Sequence, residues 1–240
     1  MSVPPQHEAP LQQDRDLRLP TWLERLSTAL GEHDRLAGVA ALRPGVGEGA
    51  REAAVLILFG DGPAGPELLF VERATTLRTH AGQIAFPGGG RDDGDRDLAD
   101  TALREATEET GLDRTGVDVL GSLPAVHVAV SGFDVTGVVG WWRRRSPVRP
   151  ADPREVASLW MVTITDLVEP RHRAQVRHPS GYTGPAFEVS GHVIWGLTAH
   201  LLEGILDLGG WQRPWDQRRT IEIPARYLTD RQDLGGPDAH

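Results

Sequence analysis

The apolar positions of the chain fall into short runs with different periods. Ala53–Phe59 (AAVLILF) is unbroken, as suits a strand buried on both faces. Glu67–Glu72 (ELLFVE) follows across a turn cluster at Gly60–Pro66 and predicts the second strand of a hairpin. Leu98–Thr110 has a helical period instead. Ala99, Ala102, Leu103 and Ala106 share one side of it, and Gly111 directly after is a stop signal. Trp22, Leu23, Leu26 and Leu30 recur at helical spacing within Leu19–Leu30, where Pro20 is acceptable in a first turn, so a short accessory helix is predicted. Val119–Trp142 is broken by Pro124, His127, Asp134 and glycines, and predicts strands with turns. Further short strands are expected at Gln83–Phe86, Ser158–Val162 and Thr220–Ile223. A second long helix is expected at Val193–Leu208, ended by Gly209 and Gly210. The rest of residues 73–97 reads as ordered loop, and Arg143–Arg145 as a solvated loop.

Strands interspersed with two well-separated helices indicate an α/β sandwich around a mixed sheet. The organisation expected is an N-terminal extension with a short helix (1–36), one domain (37–228) and a polar tail (229–240). The first 36 residues lack the apolar stretch of a secretory leader. Val193–Leu208, interrupted by His200 and Glu203, is too short to span a bilayer. No membrane association is expected.

Composition narrows the chemistry. With no cysteine, disulfides, thiol nucleophiles and Cys-based metal sites are excluded, and the chain suits a reducing cytoplasm. All 25 basic residues are Arg. That excludes a Walker A loop and every lysine-dependent scheme. A net charge of −9 argues against general nucleic-acid binding, while allowing a local basic pocket.

The informative stretch is residues 88–112, GGGRDDGDRDLADTALREATEETGL. On a helix, Glu105, Glu108 and Glu109 project from one side. Like charges four residues apart cost about 0.2–0.5 kcal/mol, and the C-terminal end of a helix disfavours anions. A divalent cation would turn that cost into a gain, because Mg²⁺ and Mn²⁺ take hard oxygen ligands. The plainer alternative is a solvated acidic face, with Arg104 paired to Glu108.

The flanking residues bear on that choice. Arg104-Glu105-Ala106-Thr107-Glu108-Glu109-Thr110-Gly111-Leu112 resembles the signature box of the Nudix hydrolases, Arg-Glu-x-x-Glu-Glu-x-Gly-aliphatic, on a loop–helix–loop. One departure is clear. The acid usual in the first half of that box would fall at position 96, which is Arg96; Asp95 stands one place earlier. The first half of the box is therefore shifted in spacing or lacks the acid. Upstream, Arg73, Leu77, His80, Gly82, Gln83 and Phe86-Pro87-Gly88-Gly89 look like the extra motif of the family's coenzyme A pyrophosphatase branch, in which Thr-Ala-Leu-Arg-Glu-Ala, here 101–106, also recurs. The two motifs cover residues 68–112, and weaker similarity extends to HVIWGLTA at 192–199.

The resemblance implies a Nudix-type α/β/α sandwich and hydrolysis of the diphosphate of coenzyme A or acyl-CoA with Mg²⁺ or Mn²⁺. The products would be 3′,5′-ADP and (acyl) 4′-phosphopantetheine. It also implies metal ligation by Glu105, Glu108, Glu109 and a backbone carbonyl of Gly89 or Gly90, with Arg104 orienting the glutamates. Arg73 and Arg78 would bind phosphate, or are surface arginines; His80 and Gln83 would contact substrate, or His80 braces its loop. Glu155 is a candidate general base or a surface glutamate. Trp195 either stacks on a base or, on a helix with Ile194, Leu197 and Leu201, belongs to the core. The partner expected is a small molecule, and pairing as a homodimer is implied by the resemblance alone. Two rival readings stay open. One is hydrolysis of another diphosphate, such as ADP-ribose, NADH or a nucleoside triphosphate; the other is a binding module without turnover.

Overall fold

The structure is a computed structural model describing residues 18–32, 34–36, 49–77, 79–129, 131–178 and 181–227. Its centre is a mixed sheet, formed among the described residues by eight strands. Strand β1 (Arg51–Gly62) pairs antiparallel with β2 (Gly65–Arg73) and parallel with β7 (Phe133–Trp142). β3 (Ile84–Ala85) and β8 (Val156–Thr163) add to β2; β5 (Val117–Ser122) and β6 (Val126–Val128) add to β7. β4 (Gly88–Gly90) lies antiparallel on β1. A second sheet of four strands has β9 (Arg173–Arg177) between β10 (Thr183–Val189) and β12 (Thr220–Glu222), with β11 (His192–Ile194) outside β10.

Helices cover both faces of the larger sheet, which places the fold in the α/β class as an α/β/α sandwich. Side chains alternate along β1, so Leu56 and Leu58 pack on helix α2 (Leu98–Thr110) through Ala102 and Ala106. Ile57 and Phe59 face the opposite layer. There they meet Leu23 and Leu26 of α1 (Thr21–Leu30), and Leu201, Leu202 and Ile205 of α4 (Gly196–Leu208), α3 being the short turn Ile164–Leu167. The helix expected as accessory, Thr21–Leu30, is thus part of the main core, with Leu23 and Leu26 fully buried. None of the helices among the described residues is long and apolar enough to cross a membrane.

The hairpin is tighter than the Gly60–Pro66 cluster suggests. The ladder continues to Gly62↔Gly65, leaving a two-residue turn. Three expectations are corrected. The glycine run read as loop is strand β4. A Cβ on Gly88 would stand 2.3 Å from the Ala54 carbonyl oxygen, so only glycine lets the two backbones approach this closely. The helix expected from Val193 begins at Gly196. Val193 and Ile194 are strand, and Gly196, at φ 64°, makes the turn between them and the helix. Trp195 accordingly caps the helix rather than lying on it, and packs in the small core of the second sheet with Val176 and Tyr227. Arg143 and Arg145 are not merely solvated: they pair with Asp118 and Glu67.

Candidate active site

Helix α2 is built as its sequence predicts. Asp97 caps the N-terminus by accepting from the Asp100 N–H at 2.8 Å, and Gly111 closes the other end at φ 69°. This fixes the rotation of the helix. Its alanines face the sheet, and the last turn, with Glu105 and Glu109, lies against β4.

The three glutamates differ in environment. Glu109 is buried, 5% exposed, and accepts the Gly88 N–H at 3.1 Å. Burial pushes its pKa up to about 7; the Gly88 hydrogen bond and the Arg73 charge oppose this, while Glu105 and Glu155 add to it. Glu105 is half-buried against Gly89, where a Cβ would lie 2.5 Å from the carboxylate. Its pKa is also raised, chiefly by burial. Glu108 is exposed at the rim. Glu105 and Glu108 share Arg104 while Glu109 is held by Gly88, and no three His, Asp or Glu among the described residues are gathered closely enough to hold a metal ion as they stand.

Arg104 organises the cluster. It donates to Glu105 at 3.0 Å, to Glu108 at 3.2 Å and to the Gly90 carbonyl at 2.9 Å. Its other edge forms a fork on Asp95, at 2.9 and 3.0 Å. Asp95 also accepts from the Asp92 N–H and the buried Thr101 hydroxyl. The Arg104 hydrogen bonds hold the Asp95 carboxyl well below the usual carboxylate range. Asp95, one place before the position usual in the box, is thus the acid that grips Arg104. Arg96 lies outside and pairs with Asp100. The partner of Asp95 is not evident from the sequence, where its one local signal is the Asp-x-x-Asp turn at 92–95.

The upstream loop meets this cluster in part. Arg73, at the end of β2, carries its charge to Glu109, and its backbone pairs with Gln83 and Gly82. His80 Nδ1 and Gln83 Oε1 are 3.2 Å apart, and Gln83 reaches the Tyr227 carbonyl, so these two side chains tie the loop to the C-terminal segment. Glu155 is exposed, accepts the Ala74 N–H on its carbonyl, and adds its charge to that felt by Glu109. Arg78 lies outside the described residues. A cleft of about 650 Å³ opens beside Glu105 and Gly90, with Asp92, Asp93 and the Glu52–Arg91 ion pair in its lining.

Residues 49–180, more than half of the chain, match the family model described as NUDIX domain. The chain belongs to the Nudix family. Among its relatives is the "Uncharacterized Nudix hydrolase NudL" of Cronobacter sakazakii, 45% identical over 118 residues, which cover 49% of this chain and 60% of that protein. The protein of the same name from Salmonella paratyphi B is 38% identical over 155 residues, 63% of this chain and 79% of that one. The chain thus matches less than two thirds of the length of the Cronobacter relative. Among solved structures, a NUDIX hydrolase from Nitrosomonas europaea aligns over 73% of this chain and 81% of its own, with a TM-score of 0.46 at 13% identity. The Nudix hydrolase RenU of M. smegmatis aligns over 48% of this chain and 72% of its own, with a TM-score of 0.38 at 24% identity.

Proposed function

We propose that this Nudix hydrolase cuts the diphosphate of coenzyme A or acyl-CoA in a reaction dependent on Mg²⁺ or Mn²⁺, releasing 3′,5′-ADP and (acyl) 4′-phosphopantetheine. The observation that carries the reading is the seating of the upstream loop on the box. Arg73 lies in the field of Glu109, the Gly88 N–H is bonded to Glu109, and Gly89 abuts Glu105. These are residues of the motif that resembles the coenzyme A branch.

The residues suit a hard divalent cation. Glu105, Glu108, Glu109 and the Gly89 carbonyl offer only oxygen donors. The absence of a side chain at Gly89 brings backbone and carboxylate together in a cradle that a Cβ would fill. When bound, the ion would offset phosphate charge and lower the pKa of a water. The chain's own residues do the rest. Arg104, held by Asp95, fixes Glu105 and Glu108. Arg73 supplies positive charge beside Glu109, where the diphosphate must lie. One of the box glutamates, or Glu155, would take up the proton of the attacking water.

The test is a substrate panel. With Mg²⁺ or Mn²⁺, kcat/KM for coenzyme A should exceed that for ADP-ribose, NADH and dGTP, and chelation should abolish turnover. Faster hydrolysis of ADP-ribose or NADH would overturn the substrate while leaving diphosphate hydrolysis standing. No turnover of any substrate would favour a binding module.

A further inference from the structure

The cleft beside Glu105 has a second feature that the chemistry at the glutamates does not use. Arg51 and Phe133 also line it. They are partners in the parallel register of β1 and β7, and the Arg51 guanidinium lies over the Phe133 ring, 4.1 Å from its centroid. Such a stack occupies the face of the guanidinium. Its N–H donors lie in the plane and stay available for a phosphate fork. Arg51 is exposed, and among the described residues no carboxylate lies within ion-pair distance of it. Its neighbour Glu52 is engaged with Arg91 at 2.6 Å. The other charged groups of the cleft are acids, including Asp92, Asp93 and Glu105. An anion entering here needs a cation not already neutralised, and the chain has no lysine to supply one.

We infer that Arg51, braced by Phe133, anchors a phosphate of the substrate other than the diphosphate that is cut. This rests on the coenzyme A reading, under which the group is the 3′-phosphate of the nucleotide half. Arg51 then determines specificity, and Phe133 acts through it as a positioning residue.

The experiment compares coenzyme A with dephospho-coenzyme A in wild type, Arg51→Ala, Arg51→Lys and Phe133→Leu. A charge-assisted contact to phosphate corresponds to roughly tenfold to a hundredfold in specificity. The ratio of kcat/KM for the two substrates should fall by about that factor in Arg51→Ala, fall less in Phe133→Leu, and be partly restored in Arg51→Lys. An unchanged ratio in Arg51→Ala overturns the inference. Calorimetry separates this from the function itself. Wild type should bind adenosine 3′,5′-bisphosphate more tightly than AMP, and Arg51→Ala should erase the difference. Equal affinities in wild type overturn the role of Arg51 even if coenzyme A is cut. A retained difference without turnover overturns the function and leaves Arg51 as a phosphate anchor.

Discussion

Glu109→Gln should make the metal-free protein more stable, and by an amount that depends on pH. The carboxyl is 5% exposed and its pKa stands at about 7, against an ordinary value of 4.5. Between those values the folded chain holds a proton that the unfolded chain releases. The stability that this proton contributes is fully present below pH 4.5 and is lost as pH rises through 7. Each pH unit of the window is worth about 1.4 kcal/mol, so the loss totals about 3 kcal/mol by pH 8. The glutamine keeps the shape, and its carbonyl oxygen still accepts the Gly88 N–H, but it does not ionise. Thermal melts in a chelating buffer from pH 4.5 to 8 measure the effect. Titrating groups remote from Glu109 are common to both proteins and cancel in the difference. The midpoints should coincide near pH 4.5 and separate by roughly 6–12 °C at pH 8, the variant being higher. A gap that does not grow with pH would refute the argument, as would a variant less stable at pH 8.

Five further outcomes follow from the same geometry. Mg²⁺ added at pH 8 should raise the wild-type midpoint more than that of Glu109→Gln, because the ion offsets a buried carboxylate charge that the variant lacks; equal shifts would contradict this. Asp95→Asn, which removes the charge that grips Arg104, should lower kcat by about tenfold to a hundredfold, and steady-state kinetics would read it. Gly88→Ala should cost about 2–3 kcal/mol or more in urea denaturation, because the Ala54 backbone blocks its Cβ. Gly89→Ala meets first the end of the Glu105 side chain, so it should fold and lose activity. Arg73→Ala should slow coenzyme A and dephospho-coenzyme A hydrolysis alike, since its charge serves Glu109, and unequal losses would move Arg73 to the nucleotide end.

Most of the sandwich was legible because its elements carry local signals. Helix α2 has a clean apolar side, a capping Asp97 and a stop at Gly111. The buried run of β1 and the strand after its turn are equally plain. Strand β4 was not legible, since three glycines have no hydrophobic period and the reason for them is the Ala54 backbone opposite. The start of α4 was misread because Val193, Ile194 and Leu197 continue its apolar pattern through a turn that only the backbone of Gly196 marks.

The candidate site divides in the same way. Glu105, Glu108, Glu109 and Arg104 follow from one stretch of sequence. The fork between Asp95 and Arg104 is a folded-loop contact that its spacing hid. Arg51 and Phe133 meet only through the parallel pairing of β1 and β7, which no local pattern announces.

Cleavage of coenzyme A at its diphosphate is read most directly in the products. Purified protein, coenzyme A and Mg²⁺ should yield adenosine 3′,5′-bisphosphate and 4′-phosphopantetheine in equal amounts by mass spectrometry, and Glu109→Gln should yield neither. Intact coenzyme A after incubation with wild type, or the same products at the same rate from the variant, would contradict the account.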